Sequence, residues 1–448
     1  MRSARRSHIG RRAAITTVLA ASLVLAACGS SSKPAAASST SSTKTTSSST
    51  KTVTIHWWTT GETPARITVI DNGFDKTHPH MKAVGEYIGK SDEEMPKLIS
   101  ALKTNTYPTV VDTQVPSDLP LLAESGKLVD LNGKMTSLTD ALYPGIRKSL
   151  FYRGKQLGMA LSGVGDILLF YNKADFKAAG ISSPPKTWAQ LVVDARKLTD
   201  PAQHRWGIYV PLGDAEWISY AWEPMLWANG GHFLNSTDTK AVFDSKAGVD
   251  ALTTWVDLLR KYHAAPDRSF AVGGNFDGSP AFASNAVAML IDGPWDLSTF
   301  EKAKIDFGVS EFPAGSKGSS TNIGIGVEAL FKKPSDKEAV GLAFMKYMAS
   351  PSIGAYLAAT SGGLPSSPAQ LKEPTLEKAI ASNPYYHAFA DNEATGHVRP
   401  ITPAYNAVSQ DLWTEINDAL DGKISPSQAL KTAAAEADRA LKKYSSGS

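Results

Sequence analysis

Short β-rich runs that alternate with amphipathic stretches restrict this chain more than any other feature. VTIHWW (53–58), MKAVGEYI (81–88) and PTVVDTQV (108–115) read as strands, dense in β-branched and aromatic residues. Between the last two, SDEEMPKLISALKT places Met95, Leu98, Ile99 and Leu102 on one helical face. PKTWAQLVVDARKLTD does the same with Trp188, Leu191, Val192, Ala195 and Leu198, which makes Trp188 a core residue. AGVDALTTWVDLLRKY repeats the spacing with Val249, Leu252, Val256 and Leu259. SDKEAVGLAFMKYM opens with Ser335 and Glu338 at capping-box spacing. SPSQALKTAAAEADRALKKY opens with Ser425 as cap, Pro426 at the first helical position and Gln428. Alternation of this kind predicts an α/β fold. No internal repeat is visible.

The N-terminal segment is of another character. Arg2, Arg5, Arg6, Arg11 and Arg12 precede an apolar run, Ala13–Ala27, that stops at Cys28. A basic flank, a short apolar run and small residues at its end predict an export signal over residues 1–27. As a helix the run would reach about 22 Å, short of the ~30 Å hydrocarbon core. Arg11-Arg12 matches a twin-arginine pair, although Arg5-Arg6 shows that such pairs come easily here. Leu25-Ala26-Ala27-Cys28-Gly29 resembles the bacterial lipobox, which implies cleavage before Cys28 and acylation of its sulfur. Acyl chains there would tether the protein to a membrane surface. Residues 28–51 are mostly serine and threonine with no large apolar side chain, so they are expected to stay disordered. Such a coil spans roughly 25 Å.

Cys28 is the only cysteine, which excludes an intramolecular disulfide, a zinc cluster and a redox CxxC pair. The formal charge of +3 comes from the leader; beyond it, 41 basic residues face 43 acidic ones, a net of −2. With no basic stripe, nucleic acid is not an expected partner. GxSxG, HExxH and GxxxxGK[ST] do not occur. Gly324-Ile-Gly326 starts like a dinucleotide fingerprint, but Ala329 stands at the third glycine position. His78-Pro79-His80 offers two imidazoles to a metal, or lies on an exposed loop. No pair of carboxylates stands out for acid–base work.

Ten tryptophans need a use. In VTIHWW, alternation sends Val53, Ile55 and Trp57 to one face and Thr54, His56 and Trp58 to the other. The strand then ends in Trp58-Thr59-Thr60-Gly61-Glu62, and ligands of open α/β folds bind beyond the carboxyl ends of strands. An indole beside hydroxyls, a glycine and a carboxylate suits a sugar, which has an apolar face and polar edges. The alternative is that both indoles simply pack. AEWISYAWEPMLWANGG adds Trp217, Tyr220, Trp222 and Trp227 at spacings that cannot all face one core. Trp295, in AMLIDGPWDL, follows a glycine-proline break at the end of an apolar strand.

Six segments in order carry a family resemblance from Val53 to the C-terminus. These are ILLFYNKADFKAAGI with PPKTWAQLVVDARKLT, then ANGGHFL, AVAMLIDGPW, FGVSEFPAG, SGGLPSSPAQ and RPITPAYNAVSQDLW…ALDGKISPSQAL. Together they resemble the extracellular solute-binding proteins of sugar-type ABC importers, the broad family that includes maltose-binding protein. The resemblance implies a two-lobed periplasmic-binding-protein-like fold of type II, hinged, with lobes discontinuous in sequence. Lobe 1 would take 52–165 and 322–363, and lobe 2 would take 166–321 and 364–448. It also implies a ligand-binding set: Trp58, Thr59, Gly61 and Glu62 in the first loop, Gln114 after another strand, and Asp166 beside Gly165 at the crossover. Trp217, Tyr220 and the stacking Trp295 belong to the second lobe, with Gly324, Gly326 and Glu328 in a glycine-rich return. Arg399 and Tyr405 match a loop that often reaches ligand. Thr109 departs from the family by replacing an aspartate. The expected role is capture of a small sugar or oligosaccharide by a monomer and delivery to membrane permease subunits, without cofactor or catalysis. A glycerophosphodiester or glycerol-3-phosphate is the alternative ligand. An exported carbohydrate-active enzyme and a surface adhesin are alternatives of other classes.

Overall fold

The computed structural model describes residues 51–213, 216–267, 278–392 and 395–445. The leader, Cys28 and the tether through residue 50 lie outside the described residues.

The chain begins with β1 (Val53–Thr59), α1 (Pro64–Thr77), β2 (Met81–Tyr87), α2 (Ser91–Thr104), β3 (Val110–Thr113) and α3 (Asp118–Glu124). Then come β4 (Met159–Ala160), β5 (Gly165–Asp166), β6 (Leu168–Asn172), α4 (Trp188–Leu198), α5 (Glu216–Ala228) and α6 (Lys246–Val256). β7 (Met289–Asp292), α7 (Leu297–Lys302), β8 (Phe307–Ser310), β9 (Thr321–Gly324) and β10 (Val327–Leu330) follow. The remainder is α8 (Ser335–Met348), α9 (Pro351–Ser361), α10 (Pro374–Ser382), α11 (Tyr386–Asn392), β11 (Gly396–His397), α12 (Tyr405–Leu420) and α13 (Pro426–Ser445).

The first sheet has the order β2-β1-β3-β10-β4, parallel from β2 to β3 and antiparallel at β10 and β4. The second is antiparallel, β8-β6-β7. Between them in the chain, β5 leads out of the first sheet into the second and β9 leads back. These two crossing segments pair with each other, antiparallel, in a third small sheet.

Ile55 and Trp57 are fully buried, as the alternation in β1 requires, and His56 is exposed. The Trp57 ring lies 5.2 Å from Phe344 of α8, and its Nε1 donates to Asp71 of α1 at 2.7 Å. The apolar run at β6 is buried on both faces. Leu168 and Phe170 join the core of the first sheet, while Ile167 and Leu169 join a second core built by α4, α5, α6, α12 and α13.

Two local expectations need correction. Ser335 is the first residue of α8 rather than its cap, and Glu338 Oε1 instead accepts from the Lys333 N–H at 2.8 Å. Pro334 holds the cap position there and sets the extended entry. Ile99 is 37% exposed, because the apolar arc of α2 is narrower than four residues, with Leu98 at its centre. The C-terminal helix does start as expected, with Ser425 Oγ accepting from Gln428 N at 3.2 Å. His78 stacks on Phe74, centroids 4.3 Å apart. Among the described residues, no group of three His, Cys, Asp or Glu could hold a metal ion, and no helix is long and apolar enough to cross a membrane.

Close backbone packing offers a direct test. A Cβ at Gly207 would lie 1.9 Å from the Ala195 carbonyl oxygen of α4, an atom with no freedom to withdraw. Gly207→Ala is expected to cost about 1–3 kcal/mol, read as a lower midpoint in thermal unfolding with unchanged circular dichroism below the transition.

Candidate functional site

Strand pairing brings three polar side chains into one row. Thr59 is in register with Asp112, and Asp112 with Glu328, so all three lie on the same face of the first sheet. Each is fully buried. Thr59 Oγ1 donates to Asp112 Oδ2 at 2.6 Å and accepts from the N–H groups of Gly61 and Glu62, both at 3.1 Å. That threonine therefore shapes the loop after β1. Glu62 pairs with Arg66 at 2.7 Å, and Arg66 also donates through Nη2 to the Gly61 carbonyl. Gln114 Nε2 donates to Asp112 Oδ1 at 3.3 Å. Its amide occupies the place a Cβ on Gly61 would need, 2.1 Å away.

Burial dominates the electrostatics of this row. It pushes Glu62 up to about 7 despite Arg66, and Asp112 up to about 6 despite the Thr59 hydrogen bond. Glu328 lies well above the ordinary carboxylate range, through burial first and then the nearby Asp112 and Glu62. Neither of its oxygens has a hydrogen-bond partner among the described residues.

A second group gathers around α5. The Arg399 guanidinium lies 4.2 Å from the Tyr220 ring centroid, with Nε 3.1 Å from Glu216. Tyr405 Oη donates to the same Glu216 at 2.7 Å. Burial opposes the charge on Arg399, but Glu216, Tyr405 and Tyr220 outweigh it and hold the guanidinium firmly protonated. Burial and Glu216 push Glu223 up to about 8, against the hydrogen bond it accepts from Asn322 Nδ2 at 2.9 Å. Asn392 Nδ2 donates to Asp166 at 3.2 Å.

Trp295, just past the end of β7, is approached closely by the backbone at two glycines. A Cβ at Gly293 would lie 2.2 Å from its six-membered ring, and one at Gly165 would lie 2.9 Å away, so only glycine admits the indole at either place. Trp217 meets it nearly edge-on, centroids 6.1 Å apart at 80°, and lies 5.7 Å from Tyr220. Trp295 remains 43% exposed. The Trp217 indole nitrogen is buried with no acceptor among the described residues. Trp188 and Trp222 share that feature, but both are sealed in the second core.

Two contacts join the groups. Arg399 Nη1 donates to the Gln114 carbonyl at 3.5 Å, and Asn406 Nδ2 donates to Asp118 Oδ1 at 2.7 Å. Of the residues singled out from sequence, Thr59, Gly61, Glu62, Gln114, Gly326 and Glu328 fall in the first group. Asp166, Trp217, Tyr220, Trp295, Gly324, Arg399 and Tyr405 surround α5 and the crossing strands. Trp58 stands apart from both, half-buried against the first core. Tyr405 is 1% exposed and spends its hydroxyl on Glu216, so it buttresses Arg399 rather than facing solvent. Sequence reasoning passed over Asp112, Arg66, Glu216, Glu223 and Asn322. The available signal was a lone acid inside an apolar run, as with Asp112 in TVVDT and Glu223 in YAWEPML.

A cavity of about 510 Å3 adjoins Trp295, lined also by Thr63 and Arg66 at the start of α1 and by residues 358–363, the last turn of α9 and the two glycines that follow it.

Comparison with known proteins gives the same architecture. The chain is 24% identical to the sn-glycerol-3-phosphate-binding periplasmic protein UgpB of Escherichia coli K12, over 87% of this chain and 93% of that one. Its fold matches a solute-binding protein of an ABC transporter from Thermotoga lettingae, solved with α-D-tagatose, with a TM-score of 0.77, 24% identity and coverage of 87% and 99%. It also matches the GacH receptor of Streptomyces glaucescens, solved unliganded and with acarbose, with a TM-score of 0.76, 25% identity and coverage of 87% and 99%. These are two-lobed binding proteins, and the two sheets with their paired crossing strands conform to that plan. The family described as bacterial extracellular solute-binding protein matches residues 71–384, and this chain belongs to that family.

Proposed function

We propose that this protein is the substrate-binding component of a carbohydrate ABC importer. It captures a sugar or oligosaccharide between its lobes, closes by hinge bending at the crossing strands, and presents the ligand to membrane permease subunits. Lobes of 52–165 with 322–363 and 166–321 with 364–448 suit this motion. The observation that carries the reading is the Trp217–Trp295 pair: an exposed indole pinned between glycines for stacking, and a perpendicular indole whose N–H lacks an acceptor among the described residues. A pyranose offers both the C–H face and the hydroxyl oxygens such a pair needs. Gln114, Asp166 and Arg399 supply polar groups around it. The chain acts as a monomer that binds without turnover, and the lipobox at Leu25–Gly29 supports a lipid anchor on Cys28 outside the cytoplasmic membrane.

A glycerophosphodiester is the second reading, favoured by the likeness to UgpB. A phosphate needs cations, and Arg66 and Arg399 are both committed, the first to Glu62 and the second to Glu216. The buried Asp112, Glu328 and Glu223 add no cation to hold it. A neutral polyol suits such a site better.

Tryptophan fluorescence of the full chain, titrated with a panel of sugars and glycerophosphodiesters, tests this. A saturable change is expected with a sugar that is recovered unaltered. Trp295→Ala is expected to weaken that binding by at least ~1 kcal/mol, about fivefold in Kd by calorimetry. An unchanged Kd would remove Trp295 from the site. Hydrolysis of the sugar would make the protein an enzyme, and saturation by phosphodiesters alone would establish the second reading.

A further inference from the structure

The first sheet has two chemically different ends. Thr59, Glu62, Asp112 and Gln114 lie at or just beyond the carboxyl ends of β1 and β3. At the opposite end, where β1, β2 and β3 begin and β10 stops, lysines gather from segments far apart in sequence. Register brings Lys332 and Lys333 there. Leu330 pairs with Val110, and the Phe331 N–H donates to the Thr109 carbonyl at 2.9 Å, so the chain leaving β10 runs on beside Pro108 and Tyr107. Two ammonium groups lie over the Tyr107 ring, Lys333 Nζ at 3.8 Å and Lys127 Nζ at 4.6 Å from its centroid.

These charges meet neutral acceptors. Lys333 Nζ donates to the Tyr107 carbonyl at 2.7 Å and Lys332 Nζ to the Gly126 carbonyl at 2.8 Å. Lys127 Nζ donates to the Leu102 carbonyl at 3.0 Å and to Asn105 Oδ1 at 3.2 Å. Burial, and then the charges of Lys337 and Lys127, hold Lys333 below the ordinary lysine value, so like charges crowd this end. Lysines often gather at helix C-termini, and Lys127 serves α2 in that way. Lys337 does not fit that account, because it stands in the first turn of α8, where the helix dipole disfavours a cation. Lys51, Lys76, Lys82 and Lys103 are exposed around the same end, at the starts of β1 and β2 and in the last turns of α1 and α2. Acids nearby are fewer and engaged. Asp336 and Glu338 accept from the N–H groups of Lys337 and Lys333, Asp75 accepts from Ala83 N, and Glu124 pairs with Arg153 at 3.5 Å.

The described chain starts at Lys51, just before β1, so the serine- and threonine-rich segment joins the body at this same end. We propose that the lysine-rich end of the first sheet is a docking surface for an anionic phospholipid membrane, kept within reach by the tether. Charge complementarity and the point where the tether attaches both select a lipid surface over a soluble partner. Acyl anchoring and a basic patch reinforce each other at a membrane. Attraction through lysines is individually weak and screened by salt, so the contact releases readily. Docked in this way, β1 runs away from the membrane and presents its carboxyl-end loop to the side from which ligand arrives. The proposal rests on the lipid anchor at Cys28 and is independent of which ligand the protein carries.

The test is lysine acetylation of the full chain on lipid vesicles, read residue by residue by mass spectrometry. On vesicles containing phosphatidylglycerol, Lys332, Lys333 and Lys337 are expected to react at least about threefold more slowly than on neutral phosphatidylcholine vesicles. Lys246 and Lys261, which lie outside the first sheet, should keep their rates. Salt at about 0.5 M should abolish the difference. Lys332→Glu combined with Lys337→Glu should remove the protection of Lys333, and Lys337→Glu alone keeps the test informative if the pair fails to fold. Equal rates on the two kinds of vesicle, or equal slowing at Lys246 and Lys261, would overturn the surface and leave the anchor and the carbohydrate reading standing. Equal slowing by soluble polyphosphate would overturn the assignment to lipid. An unmodified Cys28 in the N-terminal peptide recovered from cell membranes would overturn the tethered arrangement.

Discussion

Arg399→Met is expected to lower the unfolding free energy by about 3–5 kcal/mol, measured by urea titration at pH 7. The side chain is 8% exposed and sits between the Tyr220 ring, the Glu216 carboxylate and the Gln114 carbonyl. Methionine fills much of its volume, so the loss arises from charge rather than from a cavity. What remains is Glu216 without its cation, with Tyr405 Oη as its hydrogen-bond donor among the described residues. Adding Glu216→Gln should recover part of the loss, since an amide can still accept from Tyr405 and carries no charge. A single-variant loss below about 1 kcal/mol, as for an exposed pair, would show that water reaches this network.

A second large effect lies in pH. Burial raises the folded-state values of Asp112 to about 6, Glu62 to about 7 and Glu223 to about 8. In each case the folded chain favours the protonated form more than the unfolded chain does. Their contribution to stability is therefore complete below the ordinary carboxylate range and is lost as pH rises toward about 8. Unfolding free energy should fall between pH 5 and pH 8. Glu223→Gln retains an acceptor for Asn322 and removes the ionisation, so it should flatten this slope. Each tenfold change in proton affinity is worth about 1.4 kcal/mol, so the variant should be more stable at pH 8 by about 2 kcal/mol or more. An unaltered slope would mean that Glu223 titrates normally, with solvent access that its burial denies.

The lone acids behind this second effect also mark the limit of what the sequence reveals. Asp112 and Glu223 stand in apolar runs and could have been picked out one at a time. That Asp112 shares a row with Thr59 and Glu328 follows only from β3 lying between β1 and β10. Capping was similarly divided. Ser425 caps its helix as its spacing implies, whereas Ser335 yields the position to Pro334 and Glu338 turns to Lys333.

Local periodicity by itself determined the α/β alternation and the inward face of β1. It also placed a tryptophan at the break after β7, because period and turn chemistry are short-range properties of the chain. Which tryptophans remain free was settled by packing at long range. Trp57 and Trp222 are consumed by the cores, Trp58 leans on one, and Trp295 stays exposed against Gly165, which the fold brings to its ring from about 130 residues away. Burial depends on what the rest of the fold brings alongside a residue, and neighbours in sequence do not specify that.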